Sequence, residues 1–322
     1  MAQNFVIIVG QKLNSFSMKT PKNNTLITVV GPTAIGKTAL SIKLAKYFNT
    51  EIISCDSRQF YSEMNIGTAV PNINELSEIK HHFIQNLSIH DNYSVGDFER
   101  DALQKLDYLF SKHNIVVMVG GSGLYVDAII NGLDKFPDVD ISIRKNLTKK
   151  LQQNGIESLQ NELKSLDIES YNSIAIDNPH RLIRTLEVCV GTGKTFSSFK
   201  NKPKESRNFN SIKIGLTSDR EILYNRINQR VDLMIDEGLV DEAKTVYPKK
   251  QLNALQTVGY RELFEYFDGN CTLNFAISEI KKNTRRFAKR QITWFKRYPE
   301  ILWFDFNTDF KKMIKEIEEK LT

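Results

Sequence analysis

An α/β fold, a parallel sheet flanked by helices with an all-helical insertion, is what this 322-residue sequence predicts, on three observations. Short apolar runs alternate with helix-spaced segments through the first third, the pattern of parallel strands joined by crossover helices. A glycine-rich stretch, GPTAIGKT at 31–38, directly follows one of these runs. From about residue 132 the texture turns polar, charged and helical, with almost no period-two alternation until about residue 211.

In chain order, residues 1–23 read as a tail, expected to be disordered. Their FVIIVG run is too short for a signal-peptide core and lacks a basic flank before it. Residues 26–30 (LITVV) form the first buried strand. The phosphate-cradling pattern G-x-x-x-x-G-K-[ST] then covers Gly31, Pro32, Thr33, Ala34, Ile35, Gly36, Lys37 and Thr38. A helix follows, with Leu40, Leu44, Ala45 and Phe48 at helical spacing. Strand, glycine turn and helix N-terminus aim backbone N–H groups and a helix dipole at one anion. Lys37 adds a point charge and Thr38 a hydroxyl for Mg2+. The expectation is a P-loop NTPase-like core that binds linked phosphates.

Residues 51–55 offer a second strand ending on Asp56, with Ser57, Arg58 and Gln59 straight after it. A helix starting near Ser94 or Val95 carries Phe98, Ala102, Leu103 and Leu106 on its apolar face. Residues 115–119 make another strand, and Gly120, Gly121, Ser122 and Gly123 lead into a further helix. Ligands of such sheets gather at the carboxyl ends of the strands, so 31–38, Asp56 and 120–123 are expected to share one crevice.

The insertion is expected at 132–205, between the two parts of the core, 24–131 and 206–322. Within it Asn178 and Pro179 read as N-cap and first helical residue, which sets Arg181 and Arg184 on one face. Its GTGKT at 191–195 lacks the four residues between glycines that a phosphate loop needs. Residues 211–217 return the chain to the sheet. The rest reads as helical, at 219–237, 239–246, 259–267 and 274–297.

A nucleotide-hydrolysing phosphate-loop protein holds Mg2+ with the loop Ser/Thr and an Asp at the end of another core strand. Here the natural strand, 115–119, ends in Gly120 and Gly121, and Asp56 is the acid at a core strand end. Beside a cradled diphosphate, Asp56 can hold the metal or accept a proton from an incoming nucleophile. The plain alternative is a cap on the turn.

Residues 281–297 contain eight Lys or Arg and no acid. Lys281, Arg285 and Lys289 are four apart, as are Lys282, Arg286 and Arg290; Phe287, Trp294 and Phe295 supply an apolar side or stacking surfaces. A solvated helix packed by its aromatics reads this way, and so does an RNA-backbone contact. The net charge of +6 permits a polyanionic partner. Cys55, Cys189 and Cys271 lie far apart without a C-x-x-C, so neither a disulfide framework nor a zinc site is expected, and a reducing cytosol is. No run of 18 apolar residues is present to span a membrane.

Taken in order, these motifs resemble the tRNA dimethylallyltransferases (tRNA isopentenyltransferases) over about residues 25–304. Beside GPTAIGKT stand DSRQFYSEMNIGTAVP at 56–71, HHFI at 81–84, YSVGDFERDA at 93–102 and GGSGLYVDAIINGL at 120–133. NPHRLIRTLEV at 178–188, RINQRVDLMIDEGLVDEA at 226–243, NALQTVGYREL at 253–263 and TRRFAKRQITWFKR at 284–297 complete the series.

The resemblance implies transfer of a dimethylallyl group from dimethylallyl diphosphate to N6 of the adenosine 3′-adjacent to the anticodon, in tRNAs reading codons that start with U. Lys37, the loop amides and Mg2+ on Thr38 would stabilise the leaving diphosphate, helped by Arg226 or Arg230. Asp56 would take the amine proton. By the same resemblance tRNA is contacted by Asp56, Ser57, Arg58, Gln59, Ser122 and Arg144. Further contacts would come from His180, Arg181, Leu182, Ile183 and Arg184, and from the 254–261 segment with Gly259, Tyr260 and Arg261.

Ile35 stands where the family often has a small residue, Ser122 where it has Thr, and Gln85 near a usual acid. His81 and His82 are read as structural. With no C-terminal zinc-finger extension, the bacterial form is expected, acting as a cytoplasmic monomer. The rivals are an adenylate isopentenyltransferase acting on free AMP, ADP or ATP, a P-loop nucleotide kinase, and an RNA-binding protein with a vestigial phosphate loop. The basic 281–297 helix and the insertion favour tRNA over a free nucleotide. A kinase leaves the later motifs unexplained, and intact Lys37, Thr38 and Asp56 speak against a vestigial loop.

Overall fold

The computed structural model describes residues 24–202 and 205–321; the expected tail at 1–23 lies outside the described residues. The chain runs β1 (Thr25–Val30), α1 (Lys37–Tyr47), β2 (Ile52–Ser54), α2 (Ile73–Glu78), β3 (His81–His82), α3 (Val95–Phe110), β4 (Ile115–Val119) and α4 (Gly123–Asn131). It continues with α5 (Ile141–Leu166), α6 (Ile168–Ser173), α7 (Pro179–Thr192), β5 (Asn210–Thr217), α8 (Arg220–Asp236) and α9 (Leu239–Val246). Then come α10 (Tyr260–Phe267), α11 (Leu273–Phe295), β6 (Leu302–Asp305) and α12 (Phe310–Leu321).

Six strands form one sheet in the order β3-β2-β4-β1-β5-β6, and every pairing is parallel. β1 lies between β4 and β5, with Leu26 opposite Val116 on one side and Ser211 on the other. All six of its residues are buried, which is why LITVV is continuously apolar around Thr28 rather than alternating. Ile27, Val29, Leu44, Ile52, Val117 and Ile214 share one core with Met313, Ile314 and Ile317 of α12.

The chain after 217 is not helical throughout, as its sequence suggests. Leu302–Asp305 (LWFD) adds a sixth strand, pairing Ile214 with Leu302 and Leu216 with Phe304. Four residues carry too little alternation to announce a strand, and this one is fixed by its partner β5. α2 and β3 are likewise short elements that the sequence pattern does not announce.

Two compact units are distinguished. The first holds the sheet: the described residues up to Tyr93, Arg100–Val126, and those from Asn208 onward. The second comprises Ser94–Glu99 and Asp127–Arg207. In the second unit α5 is two helical stretches joined at Gly155, whose φ of 73° breaks the helix. Leu147, Leu159 and Leu163 of α5 pack with Leu182, Leu186 and Cys189 of α7. Asn178 caps α7 by accepting from His180 N and Arg181 N, with Pro179 at the first position. Arg207 joins the two segments of this unit, donating to Ile129 O at 2.8 Å and pairing with Glu99.

Candidate functional site

Because β2, β4 and β1 are parallel neighbours, the segments that leave their carboxyl ends emerge along one edge of the sheet. Gly120 N donates to Val29 O at 3.2 Å and Cys55 N to Val119 O at 2.8 Å, which locks the three exits together. Gly31 sits at φ 142°, where an added Cβ would be 2.8 Å from Leu216 O, so a side chain is excluded. Ala34 (φ 64°) and Gly36 (φ 107°) give the handedness changes from which anion-binding backbone nests are made, and α1 begins on the next residue.

Lys37 Nζ closes this loop by donating to Pro32 O at 2.8 Å. Burial pushes its ammonium down to about 8, while Asp56 pulls it up and Arg230 pushes it further down. Those two therefore lie within electrostatic reach of the phosphate cradle. Arg226 and Arg230 separate into different tasks. Arg226 Nε donates to Ala34 O at 2.9 Å and its guanidinium lies 4.9 Å over the Phe306 ring, so it braces the loop from outside. Arg230 lines the cleft and is partly exposed there. Protein atoms crowd it, and together with Arg226 they lower its pKa from the ordinary arginine value.

Asp56 lines the cleft, and its Oδ1 is committed to the turn by accepting from Arg58 N at 3.1 Å. Ser57 meets Ser122, N to Oγ at 3.3 Å and Oγ to Oγ at 3.2 Å. Arg58 Nη1 donates to Asn253 O at 3.1 Å and Ala254 O at 2.9 Å. Gln59 Nε2 donates to Thr68 O at 3.2 Å and Ala69 O at 2.8 Å. These last two side chains are spent on tying loops together. Cys55, adjacent, is buried, and burial foremost pushes its thiol up, which keeps it inert.

A cleft of about 580 Å³ results, lined among others by Thr33, Asp56, Ser122, Arg230, Gly259, Arg261, Arg290 and Trp294. A second cavity of about 690 Å³ shares Gln256 and Arg261 with it but is lined by no residue of the phosphate loop. The smaller cleft is the one with chemistry. Gln291 of α11, buried, accepts from Thr33 N and donates to Gly121 O. It was not singled out in the sequence, though a glutamine on the apolar stripe of Ala276, Ile280, Ala288 and Phe295 is a detectable oddity.

Of the remaining sequence candidates, Tyr260 is buried, with its hydroxyl on Glu242, and Gly259 N is held by Glu262 at 2.8 Å. Arg144, His180, Arg181, Leu182, Ile183 and Arg184 belong to the second unit. His180 and Arg181 are exposed, whereas Leu182 and Ile183 are buried in that unit's core. Arg144 is held by Glu187 at 2.6 Å, with Arg184 3.6 Å from the same carboxylate. The basic face of α11 is also partly spent: Lys281 pairs with Asp232 at 2.5 Å and Arg285 donates to Asn228 at 2.6 Å. His82 is bound to Glu51 at 2.6 Å, and Gln85 N donates to Gln59 O at 2.8 Å from a backbone with φ 49°.

The family described as IPP transferase matches residues 59–298. A tRNA dimethylallyltransferase of Flavobacterium psychrophilum is 60% identical over 304 residues, covering 92% of this chain and 99% of that protein. One from Christiangramia forsetii is 61% identical over 299 residues, covering 93% and 99%. A crystal structure of the full-length tRNA isopentenylpyrophosphate transferase of Bacillus halodurans superposes with a TM-score of 0.69 at 38% identity, over 93% of this chain and 96% of that one. A eukaryotic dimethylallyltransferase, captured acting on tRNA, superposes with a TM-score of 0.75 at 25% identity, over 92% and 77%.

Proposed function

This chain belongs to the IPP transferase family, and we propose that it moves a dimethylallyl group from dimethylallyl diphosphate to N6 of the adenosine 3′-adjacent to the anticodon, in tRNAs reading codons that begin with U. The observation that carries the reading is that Thr33 of the phosphate loop and Asp56, the one carboxylate in the lining, share a cleft, while β4 is followed by Gly120 and Gly121 where a hydrolysing protein has an acid. The cradle is suited to a diphosphate leaving group, and the acid that a hydrolysing protein of this type keeps after β4 is replaced by Gly120 and Gly121.

In the reaction the allylic carbon–oxygen bond breaks and a carbon–nitrogen bond to N6 forms. The loop amides, Lys37 and Arg230 stabilise the charge that gathers on the departing diphosphate. Asp56 orients the exocyclic amine and accepts the proton that N6 releases. The acceptor base must leave its stack to reach the cleft, and an unpaired anticodon loop makes that inexpensive.

Thr38 would hold Mg2+. Among the described residues no group of three or more His, Cys, Asp or Glu could hold a metal, so most ligands would be diphosphate oxygens and water, the usual habit of this ion. When bound, Mg2+ would neutralise part of the diphosphate charge. No helix among the described residues is long and apolar enough to cross a membrane. A cytoplasmic monomer is the form we assign.

The test is mass spectrometry of nucleosides from unmodified tRNA incubated with the protein, Mg2+ and dimethylallyl diphosphate, beside Asp56→Ala and with AMP as a parallel acceptor. One dimethylallyl group gained on tRNA adenosine, and lost in the variant, supports the reading. Gain on AMP alone would instead identify a free-nucleotide prenyltransferase, and ATP consumption without transfer a kinase.

A further inference from the structure

Glu242, in the first turn of α9, has no part in the chemistry just described, yet its carboxylate is unusually engaged. Oε2 accepts from Asn65 N at 2.9 Å and Ile66 N at 2.8 Å; Oε1 accepts from Gly67 N at 2.9 Å and from Tyr260 Oη at 2.6 Å. Three successive amides and a phenol thus converge on one anion, and no described cation lies within ion-pair distance of it. Carboxylates held by backbone N–H groups alone make strong, directional bonds.

The segment so held is a run of turns, with Ala69 at φ 52°, closed internally by Ala69 N on Ile66 O at 3.0 Å and Val70 N on Asn65 O at 3.2 Å. Gly67, Thr68 and Ala69 form part of the cleft wall. On its other side Gln59 holds Thr68 O and Ala69 O, joining this wall to the turn that begins at Asp56. The opposing anchor is equally close-fitted. A Cβ on Gly67 would come within 2.8 Å of the Tyr260 ring, so backbone and ring are in direct contact. Burial foremost, and then Glu242, push the Tyr260 phenol up, so it remains a donor at any working pH.

We infer that Glu242 is a positioning residue for the acceptor: its carboxylate seats the 65–69 wall against Tyr260, and through Gln59 aligns Asp56 with the incoming base. This rests on the prenyl-transfer reading above. The donor side is built from 31–38, Arg226, Arg230 and Gln291, whereas the bonds of Glu242 go to Asn65, Ile66, Gly67 and Tyr260, so the effect is expected on the acceptor.

The experiment is steady-state prenyl transfer by wild type, Glu242→Gln and Tyr260→Phe, varying tRNA at saturating dimethylallyl diphosphate and then the reverse, with melting temperature recorded for each. Glu242→Gln faces an amide donor toward backbone N–H groups. Its kcat/KM for tRNA is expected to fall about tenfold or more, while KM for dimethylallyl diphosphate is unchanged. Tyr260→Phe, which keeps the ring against Gly67, should show the same asymmetry at smaller size. Should Glu242→Gln fail to fold, Tyr260→Phe decides alone. Equal losses on both substrates, or a lower melting temperature with unchanged kinetics, would reduce Glu242 to a fold-stabilising residue and overturn the inference. A wild-type protein inactive on tRNA would defeat the functional reading itself, a distinct outcome.

Discussion

Gln291 and Thr33 are 258 residues apart in sequence, yet Gln291 Oε1 accepts the Thr33 backbone N–H at 2.9 Å while Nε2 donates to Gly121 O at 3.0 Å. One buried amide therefore sets the phosphate loop against the β4–α4 turn, and that turn reaches Asp56 through Ser122 and Ser57. Gln291→Glu keeps an acceptor for Thr33 N but places a carboxylate against Gly121 O. It should cost about 1–3 kcal/mol of stability, read by urea unfolding. At temperatures where the variant is folded, kcat should fall with little change in either KM, because the two halves are misaligned rather than emptied. A variant with wild-type kcat would show that the bridge only supports the fold.

Lys37 makes donor use pH-dependent. Its pKa is lowered from 10.5 to about 8, chiefly by burial, so the folded protein binds fewer protons than the unfolded chain between those values. Keeping the ammonium charged therefore costs stability below pH 8, and the cost fades as pH rises toward 10.5. The catalytic consequence runs the other way. The charged form is what meets a diphosphate, so kcat/KM for dimethylallyl diphosphate should fall as pH climbs through about 8 in the free enzyme. Bound diphosphate pulls the pKa back up and moves the kcat limb to higher pH. Lys37→Ala should lose on the order of a hundredfold in rate and abolish this limb. A limb that survives in Lys37→Ala belongs to another group.

Arg226 and Arg230 are distinguishable by what each removal damages. Arg226→Ala loses the bond to Ala34 O and the stack on Phe306, a stability loss of about 1–2 kcal/mol. Arg230→Ala should leave the melting temperature nearly unchanged and lower the transfer rate on the order of a hundredfold. The reverse pattern would exchange their roles.

How much of this was readable beforehand depends on how local the chemistry is. Gly31, Gly36, Lys37 and Thr38 announce themselves because a phosphate cradle needs them at fixed spacing on one turn, and Asp56 because an acid ends a buried run. Gln291 and Glu242 were missed because what they do is defined by partners distant in sequence, 258 residues away for Thr33 and 175 for Gly67. Leu182 and Ile183 stand in the same motif block as Arg181. The helical period turns Leu182 and Ile183 inward and leaves Arg181 outside. β6 is four residues long, and only its neighbour β5 makes it a strand.

The basic α11 also supports a prediction that its sequence alone could not order. Lys281 is neutralised by Asp232, whereas Arg290 is exposed and lines the cleft. Counterion release is proportional to the phosphates a protein neutralises, so only cations that reach the RNA contribute to salt dependence. Arg290→Ala should lower the slope of log affinity against log salt for tRNA by roughly 0.7–0.9, one contact's share. Lys281→Ala should leave that slope unchanged and cost a little stability through its lost pair. Filter binding of tRNA across a salt series separates the two. Equal slopes for Arg290→Ala and wild type would mean that RNA approaches the cleft without touching this helix, and that its remaining charge serves only solvation.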